Sequence, residues 1–436
     1  MTPEGAAVPS ARVGVIGLGT VGTGVVRILR ERRADILART GVDLELVCAC
    51  DARRERARAL KLPARLFTTD ARALLARTDL DVVVELVGGI EPARTFIRQA
   101  LAAGRSVVTA NKHLLAERYG ELIGAAAAGG AALCFEASVA GGIPLLKSVR
   151  EGLAANRIDA VEGIVNGTCN YILTEMSAKG LDFRAALSGA QAQGYAEADP
   201  ALDIEGHDSA HKLVVLSALA FGRAFSLKDI YVEGITRVTH DDIRHAAEMG
   251  YAVKLVATGR RTERGFDLRV HPTLLDRHHP LATVDGVFNA VLVDADAAGR
   301  LMFYGRGAGQ MPTASAVVAD LVDAARWRAL PAAGARGADR PAPGRVLPMA
   351  ETISRFFIRF NVADRYGVLG KIATELGRNR VSIQAVHQKE RRPDGVVPVV
   401  ILTHPARESD FRRALARLDR LDFVREPAAF IRAEAD

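Results

Sequence analysis

Two stretches of this 436-residue chain hold side chains whose types and spacing suit chemistry. The first is Gly17-Leu18-Gly19-Thr20-Val21-Gly22, a G-x-G-x-x-G run. In such a run the first glycine permits a tight turn. The second lets backbone N–H groups approach a pyrophosphate, and the third lets helix and strand pack closely. A helix opening there adds positive potential for phosphate. Without a ligand the same run is only a glycine-rich turn, so context decides. The second stretch, residues 190–212, crowds Glu197, Asp199, Asp203, Glu205, Asp208 and Lys212 among turns at Gly194, Pro200 and Gly206. Asp208 and Lys212 are one helical turn apart and share a helix face. A lysine near carboxylates can exchange a proton, and carboxylates can receive an ammonium group. The plainer alternative for the pair is a surface salt bridge. His207 and His211 have the same spacing, but no H-E-x-x-H pattern accompanies them, which argues against zinc.

The elements that position these residues follow from the hydrophobic pattern. Residues 12–18 form a short apolar strand, 19–37 a helix, and 44–51 a second strand ending on Asp51. Strands over 81–88, 106–111 and 131–139 alternate with helices over 93–104 and 121–130, which predicts a doubly wound parallel sheet. The glycine run thus follows a strand and opens a helix, the context that makes it a dinucleotide site. Asp51 stands where an acidic residue holds ribose hydroxyls and favours NAD; Arg53 and Arg54 suit a 2′-phosphate and favour NADP, toward which the balance leans. Beyond residue 140 the strands at 157–167, 251–261, 266–275 and 288–296 predict an α+β substrate domain with longer insertions. A helix over 313–330, with Thr313 at its start, is placed to pack back on the first domain. Residues 331–350 hold four prolines, no periodicity and the clearest linker. The order from 351 to 436 is βαββαβ, a ferredoxin-like plait whose middle strands join through a Pro-Asp-Gly turn.

Composition limits the function classes. Hydrophobic residues are 49% and charged residues 25%, ordinary for a soluble globular chain of two to four domains. The net charge is +7, yet the arginines are scattered through alanine-rich helical segments and aromatics are 5%. That pattern reads as a solvated surface and not a nucleic-acid face. No apolar run is long enough for a bilayer, and the N-terminus lacks a signal-peptide pattern. Cys48, Cys50, Cys134 and Cys169 read as buried thiols of a cytoplasmic protein.

Taken in order, ELVGG (85–89), TANK (109–112), FEASVAGGIP (135–144), GIVNGTCNYIL (163–173), GYAEADPALDIEGHDSAHK (194–212) and GAGQMPTASAVVADL (307–321) resemble the blocks of the homoserine dehydrogenases. The plait resembles the ACT domain that many members append. The resemblance implies a Rossmann-type NAD(P)-binding domain (1–137), a catalytic, substrate and dimerisation domain (138–312) and an ACT-like regulatory domain (351–436). It implies reversible reduction of L-aspartate 4-semialdehyde to L-homoserine, toward threonine, methionine and isoleucine.

By the same resemblance Lys212 is the general acid, and Lys112 sits between nicotinamide and substrate. Glu197 and Asp208 contact the substrate's ammonium and orient it, with Asp203, Tyr195 and Thr168 in support. Thr109, Gly194 and Gly309 join the cofactor set. Glu136, Val139, Gly141 and Ile143 match the family's sodium loop, where one carboxylate with backbone carbonyls suits a hard monovalent ion; a hinge loop held by backbone bonds is the alternative. In the ACT-like unit, Asp364-Arg365-Tyr366-Gly367-Val368-Leu369 carries Tyr where family members often have Pro. Two roles stay open for it, a threonine sensor and a subunit-pairing surface in a homodimer or homotetramer. Two rival readings are an inactive amino-acid-sensing protein on the same scaffold and an aspartate-semialdehyde dehydrogenase with Cys169 as nucleophile. No kinase-like portion precedes the nucleotide fold, so a fused aspartokinase is not expected.

Overall fold

The computed structural model describes residues 8–329, 341–388 and 395–434. The chain divides into two compact units that interleave along the sequence. One holds residues 1–161, 211–227 and 293–344, the other 162–210, 228–292 and 345–436.

Among the described residues the first unit contains a six-stranded parallel sheet. Its strands are β1 (Ser10–Ile16), β2 (Asp43–Cys50), β3 (Phe67–Thr68), β4 (Val82–Glu85), β5 (Ser106–Thr109) and β6 (Leu133–Cys134), in the order β3-β2-β1-β4-β5-β6. The order reverses between β1 and β4, and ligands of such sheets bind in the crevice at the carboxyl ends of those strands. The strands are apolar throughout because helices cover both faces; Val13, Val15, Val82, Val84 and Val108 are fully buried.

The helix expected over 19–37 is two helices, Thr20–Glu31 and Arg33–Thr40. Arg32 leaves helical geometry (φ −121°, ψ 18°), and Arg33 bridges to Asp43 at the start of β2. The strand expected over 131–139 shrinks to two residues, because the chain turns into a 3₁₀ segment at Glu136–Ser138. The late helix begins earlier than expected, at Gln310, with Gly309 and not Thr313 at its N-cap. This Gln310–Arg328 helix packs on Thr20–Glu31, and Val317, Leu321 and Ala324 join the core of the first sheet.

In the second unit Tyr251–Thr262 pairs antiparallel with Gly265–Asp276. The latter pairs parallel with Val424–Ala433 through Thr273 and Leu274, so the sheet runs on into the C-terminal plait. There the strand order is Val424–Ala433, Ile353–Ala363, Val396–Thr403, Ile383–Gln388, all antiparallel. The plait has its own core around the stacked rings of Phe356 and Phe411, 3.8 Å apart. Its Pro393–Asp394 turn residues and residues 331–340 of the linker lie outside the described residues. The rest of the linker is anchored. Gly344 donates its amide N–H to the Ala224 carbonyl, and Arg345 accepts from the Phe266 amide.

Gly24 sits at the helix–helix contact, where an added Cβ would lie 2.8 Å from both the Ala314 Cβ and the Gln310 carbonyl oxygen. Gly24→Val should therefore cost about 1–3 kcal/mol through overpacking, seen as a lowered Tm by calorimetry. An unchanged Tm would contradict this packing.

Candidate active site

The glycine run of the first unit has the geometry that phosphate binding needs. Gly17 adopts φ 100°, and a Cβ there would lie 2.6 Å from the Leu86 carbonyl oxygen at the end of β4. A Cβ on Gly22 would meet the Gly17 oxygen at 1.9 Å. Gly19 faces open space apart from the Arg56 guanidinium, 3.9 Å from a would-be Cβ. The first intrahelical bond runs from Thr23 to Gly19, no side chain caps the helix, and no acidic residue occupies its first turn. The amides of Thr20, Val21 and Gly22 thus point out of a helix N-terminus, as an anion requires. This cradle fits a dinucleotide pyrophosphate.

Asp51 does more than end β2. Its buried carboxylate accepts from the amides of Leu18 (2.7 Å) and Arg53 (2.9 Å) and from Arg56 Nη1 (2.9 Å). Burial opposes its charge, but these donors outweigh it and hold the carboxyl below the usual range. Arg53 is exposed, and its backbone amide serves Asp51. The guanidinium that reaches the glycine run belongs to Arg56, which sequence reasoning missed, although it lies one helical turn beyond Arg53.

Lys112 opens the Lys112–Gly129 helix, and three polar residues fix its start. Glu85, fully buried, accepts from the Thr109 hydroxyl (2.7 Å) and from the amides of Val87 and Gly88. Thr109 accepts from the Asn111 amide, while Asn111 caps the helix at Leu114 and donates to the Gly89 carbonyl. The next residue, His113, meets the ring of His211 at 4.7 Å. The two lysines singled out from the sequence, Lys112 and Lys212, therefore each adjoin one member of the same histidine pair.

Glu136 is buried, and its two carboxylate oxygens accept from the amides of Leu146 (3.0 Å) and Lys147 (2.6 Å). Burial is the largest influence and pushes its pKa up. Its own amide donates to Asp320, whose pKa burial raises to about 8. Ala140 and Gly141 are both left-handed, with Val139 and Ile143 on either side. Gly141 packs so closely on Gly307 that a Cβ would lie 2.3 Å from its oxygen. Gly309, also at positive φ, is exposed at the N-cap of the late helix. The backbone donors on Glu136 make a loop held by backbone bonds, and its carboxylate is the one charged group among the four residues expected at the cation site.

In the second unit Asn166 gathers the acidic stretch. Its Nδ2 donates to Asp203 Oδ1 (2.7 Å) and Asp208 Oδ2 (2.8 Å), and its Oδ1 caps the Gly167–Lys179 helix at the Cys169 amide. Cys169 is fully buried and donates its thiol to the Asp203 carbonyl, a packed role that leaves no nucleophile exposed. Thr168 Oγ1 donates to the Tyr195 carbonyl, and the rings of Tyr171 and Tyr195 lie 5.0 Å apart. Glu197 is exposed, and its backbone carbonyl accepts from Gln191. Gly194 adopts φ 74° with open space around it. The His207–Phe221 helix carries both Asp208 and Lys212. Asn166 stands in the NGTCNY motif, and an Asn before a Gly at a helix start was the signal available for it. Elsewhere in this unit Glu162, His279 and Glu434 bring ligand atoms within 4.8 Å of one another, but Arg260 already pairs with Glu162 and Glu434.

Comparison with known proteins matches three family models: the homoserine dehydrogenase NAD-binding domain over residues 17–136, homoserine dehydrogenase over 144–322, and the ACT domain over 356–423. The homoserine dehydrogenase of Neisseria gonorrhoeae is 45% identical over 97% of this chain and 98% of its own. That of Pseudomonas aeruginosa is 42% identical over 97% and 98%. A crystal structure of a homoserine dehydrogenase from Thiobacillus denitrificans is 44% identical, with TM-score 0.92 over 98% of each chain. A hyperthermophilic archaeal homoserine dehydrogenase in complex with NADPH is 27% identical, with TM-score 0.63 over 72% of this chain and 97% of its own.

The buried Asp320 yields a pH prediction. Its folded pKa lies above that of an exposed Asp, so from about pH 4 to about pH 8 the folded chain keeps a proton that the unfolded chain has lost. Stability therefore falls as pH rises through that window. Asp320→Asn, which can still accept from the Glu136 amide, should gain Tm relative to the parent between about pH 5 and about pH 8. Parallel Tm curves would contradict the raised pKa.

Proposed function

The chain belongs to the homoserine dehydrogenase family, and from that premise we propose that Lys212 is the group that moves the substrate's proton. The enzyme is an oxidoreductase with a nicotinamide cofactor. A catalytically silent sensor does not fit such relatives in a chain that keeps Lys112, Glu197, Asp208 and Lys212.

The glycine run, Asp51, Arg53, Thr109, Lys112, Gly194 and Gly309 would hold the cofactor, which supplies hydride when bound. In the reducing direction Lys212 gives a proton to the carbonyl oxygen of L-aspartate 4-semialdehyde as its carbon is reduced; in reverse it takes the proton of the homoserine hydroxyl. Lys112, at the start of the helix that Asn111 caps and next to His113, which contacts His211, adds positive charge toward the developing alkoxide. Glu197 and Asp208 receive the ammonium group, with Asp203, Tyr195 and Thr168 in support. The observation that carries this reading is the His113–His211 ring contact, which brings together the two helices that hold Lys112 and Lys212.

The Asp51–Arg56 bond supports NADP over NAD, because the cation offsets the charge that would repel a 2′-phosphate. Glu136 with Val139, Gly141 and Ile143 is the proposed sodium loop. Residues 1–137, 138–312 and 351–436 are the proposed functional divisions. The helix Val368–Arg378 begins at left-handed Gly367 without a side-chain cap, which supports an amino-acid effector such as threonine at this loop. Tyr366 and Leu369 are exposed beside it, which supports subunit pairing in a homodimer or homotetramer. No described helix is long and apolar enough to cross a membrane. A biosynthetic enzyme with four buried, unbridged thiols fits the cytoplasm.

Lys212→Ala should lower kcat for homoserine oxidation by about 10²–10⁴-fold, with the cofactor KM little changed; turnover at the parent rate would overturn the assignment. In parallel assays of the parent enzyme, kcat/KM should be higher with NADP than with NAD, and added threonine should lower activity. A tenfold preference for NAD, or indifference to threonine, would overturn the corresponding reading.

A further inference from the structure

Arg432, on the last strand of the plait, is 1% exposed and heads the large fully buried side chains of the chain. A buried guanidinium must be paired, and its partners lie on both sides of a seam. Within the plait, Nε and Nη2 donate to Glu408, at 3.0 and 2.7 Å, in the first turn of the Glu408–Leu418 helix. Outside the plait, Nη1 donates to Glu233 Oε2 (2.8 Å) and Nη2 to the Tyr231 hydroxyl (3.1 Å), which itself donates to Glu233 (2.7 Å). Arg412 also pairs with Glu408, so Glu233 is the carboxylate from outside the plait that balances this pair of arginines.

Glu233 also lies beside the acidic stretch. The next residue, Gly234, touches it so closely that a Cβ would lie 2.1 Å from the Ile204 oxygen and 2.4 Å from the Glu205 Cα. Ile235 donates its amide N–H to the Ile204 carbonyl (2.8 Å). Gly206, at φ 87°, has room for a Cβ only 3.1 Å from Val232 Cγ1 and 3.4 Å from the Glu233 oxygen. The backbone of 232–235 thus supports residues 204–206, the short piece between Asp203 and Asp208. Those two carboxylates are the ones that Asn166 holds.

We propose that Arg432 is a positioning residue for the substrate carboxylates: through Glu233 the plait sets the placement of residues 203–208 and hence the affinity for the amino-acid substrate. This rests on the reading of Asp203, Asp208 and Glu197 as substrate contacts. The same seam gives an event on the plait a route to substrate affinity that leaves the cofactor cradle untouched.

The test is steady-state kinetics of the full chain with Glu233→Gln, which keeps shape and removes charge, and with Tyr231→Phe, which removes the shared hydroxyl. Glu197→Gln serves as a control on the underlying reading. Glu233→Gln should raise the homoserine KM about tenfold, since a charge-assisted bond is lost, while kcat and the NADP KM stay within about twofold; Tyr231→Phe should shift the homoserine KM in the same direction by less. An unchanged homoserine KM in folded Glu233→Gln, with Glu197→Gln raising it, overturns this proposal alone. If neither variant raises it, the substrate reading falls. A parallel rise in both KM values marks general damage and also overturns the proposal. Should Glu233→Gln fail to fold, Tyr231→Phe carries the same criteria.

Discussion

Two carboxylates held by one amide repel each other, and their shared hydrogen-bond donor does not cancel that repulsion. Asp203 and Asp208 are in this position on Asn166. Asn166 contributes no charge, so it gathers the two carboxylates without neutralising them. In the proposed substrate reading, the ammonium group adds its positive charge beside them. Much of the second unit works to hold this arrangement. Asn166 caps one helix, Cys169 grips the Asp203 carbonyl, and 232–235 brace the turn from behind.

The first unit solves the opposite problem, since it must attract negative charge. Its glycines open the backbone at the head of a helix to close approach, and three donors, one of them Arg56, offset the charge of Asp51. Buried acids elsewhere in this unit are tied to backbone: Glu85 to Val87 and Gly88, Glu136 to Leu146 and Lys147. Each fixes a loop that follows a strand, and the Glu85 loop accepts at Gly89 from Asn111, the residue before Lys112.

The alternation of strands and helices, the glycine run and the acidic stretch were legible in the chain because they depend on neighbours in sequence. The break at Arg32 was not; the Arg33–Asp43 ion pair beside it joins residues ten apart in the chain. Arg56 escaped notice because its role appears only when Asp51 and Leu18, 33 residues apart, meet. Asn166 escaped for the same reason: its partners lie 37 and 42 residues downstream. Glu85 reads as an ordinary strand residue until Thr109 faces it. Arg432 reads as one more arginine in a basic chain of charge +7, yet burial separates it from the solvated majority.

In the proposed substrate reading, the carboxylates that Asn166 holds receive the substrate's ammonium group. The most direct measurement is the ratio of kcat/KM for L-homoserine to that for its des-amino analogue, in the parent enzyme and in Asn166→Ala. The parent ratio should be large, and it should collapse in the variant as the two carboxylates separate. A ratio that Asn166→Ala leaves unchanged, in a variant that still folds, would contradict the account.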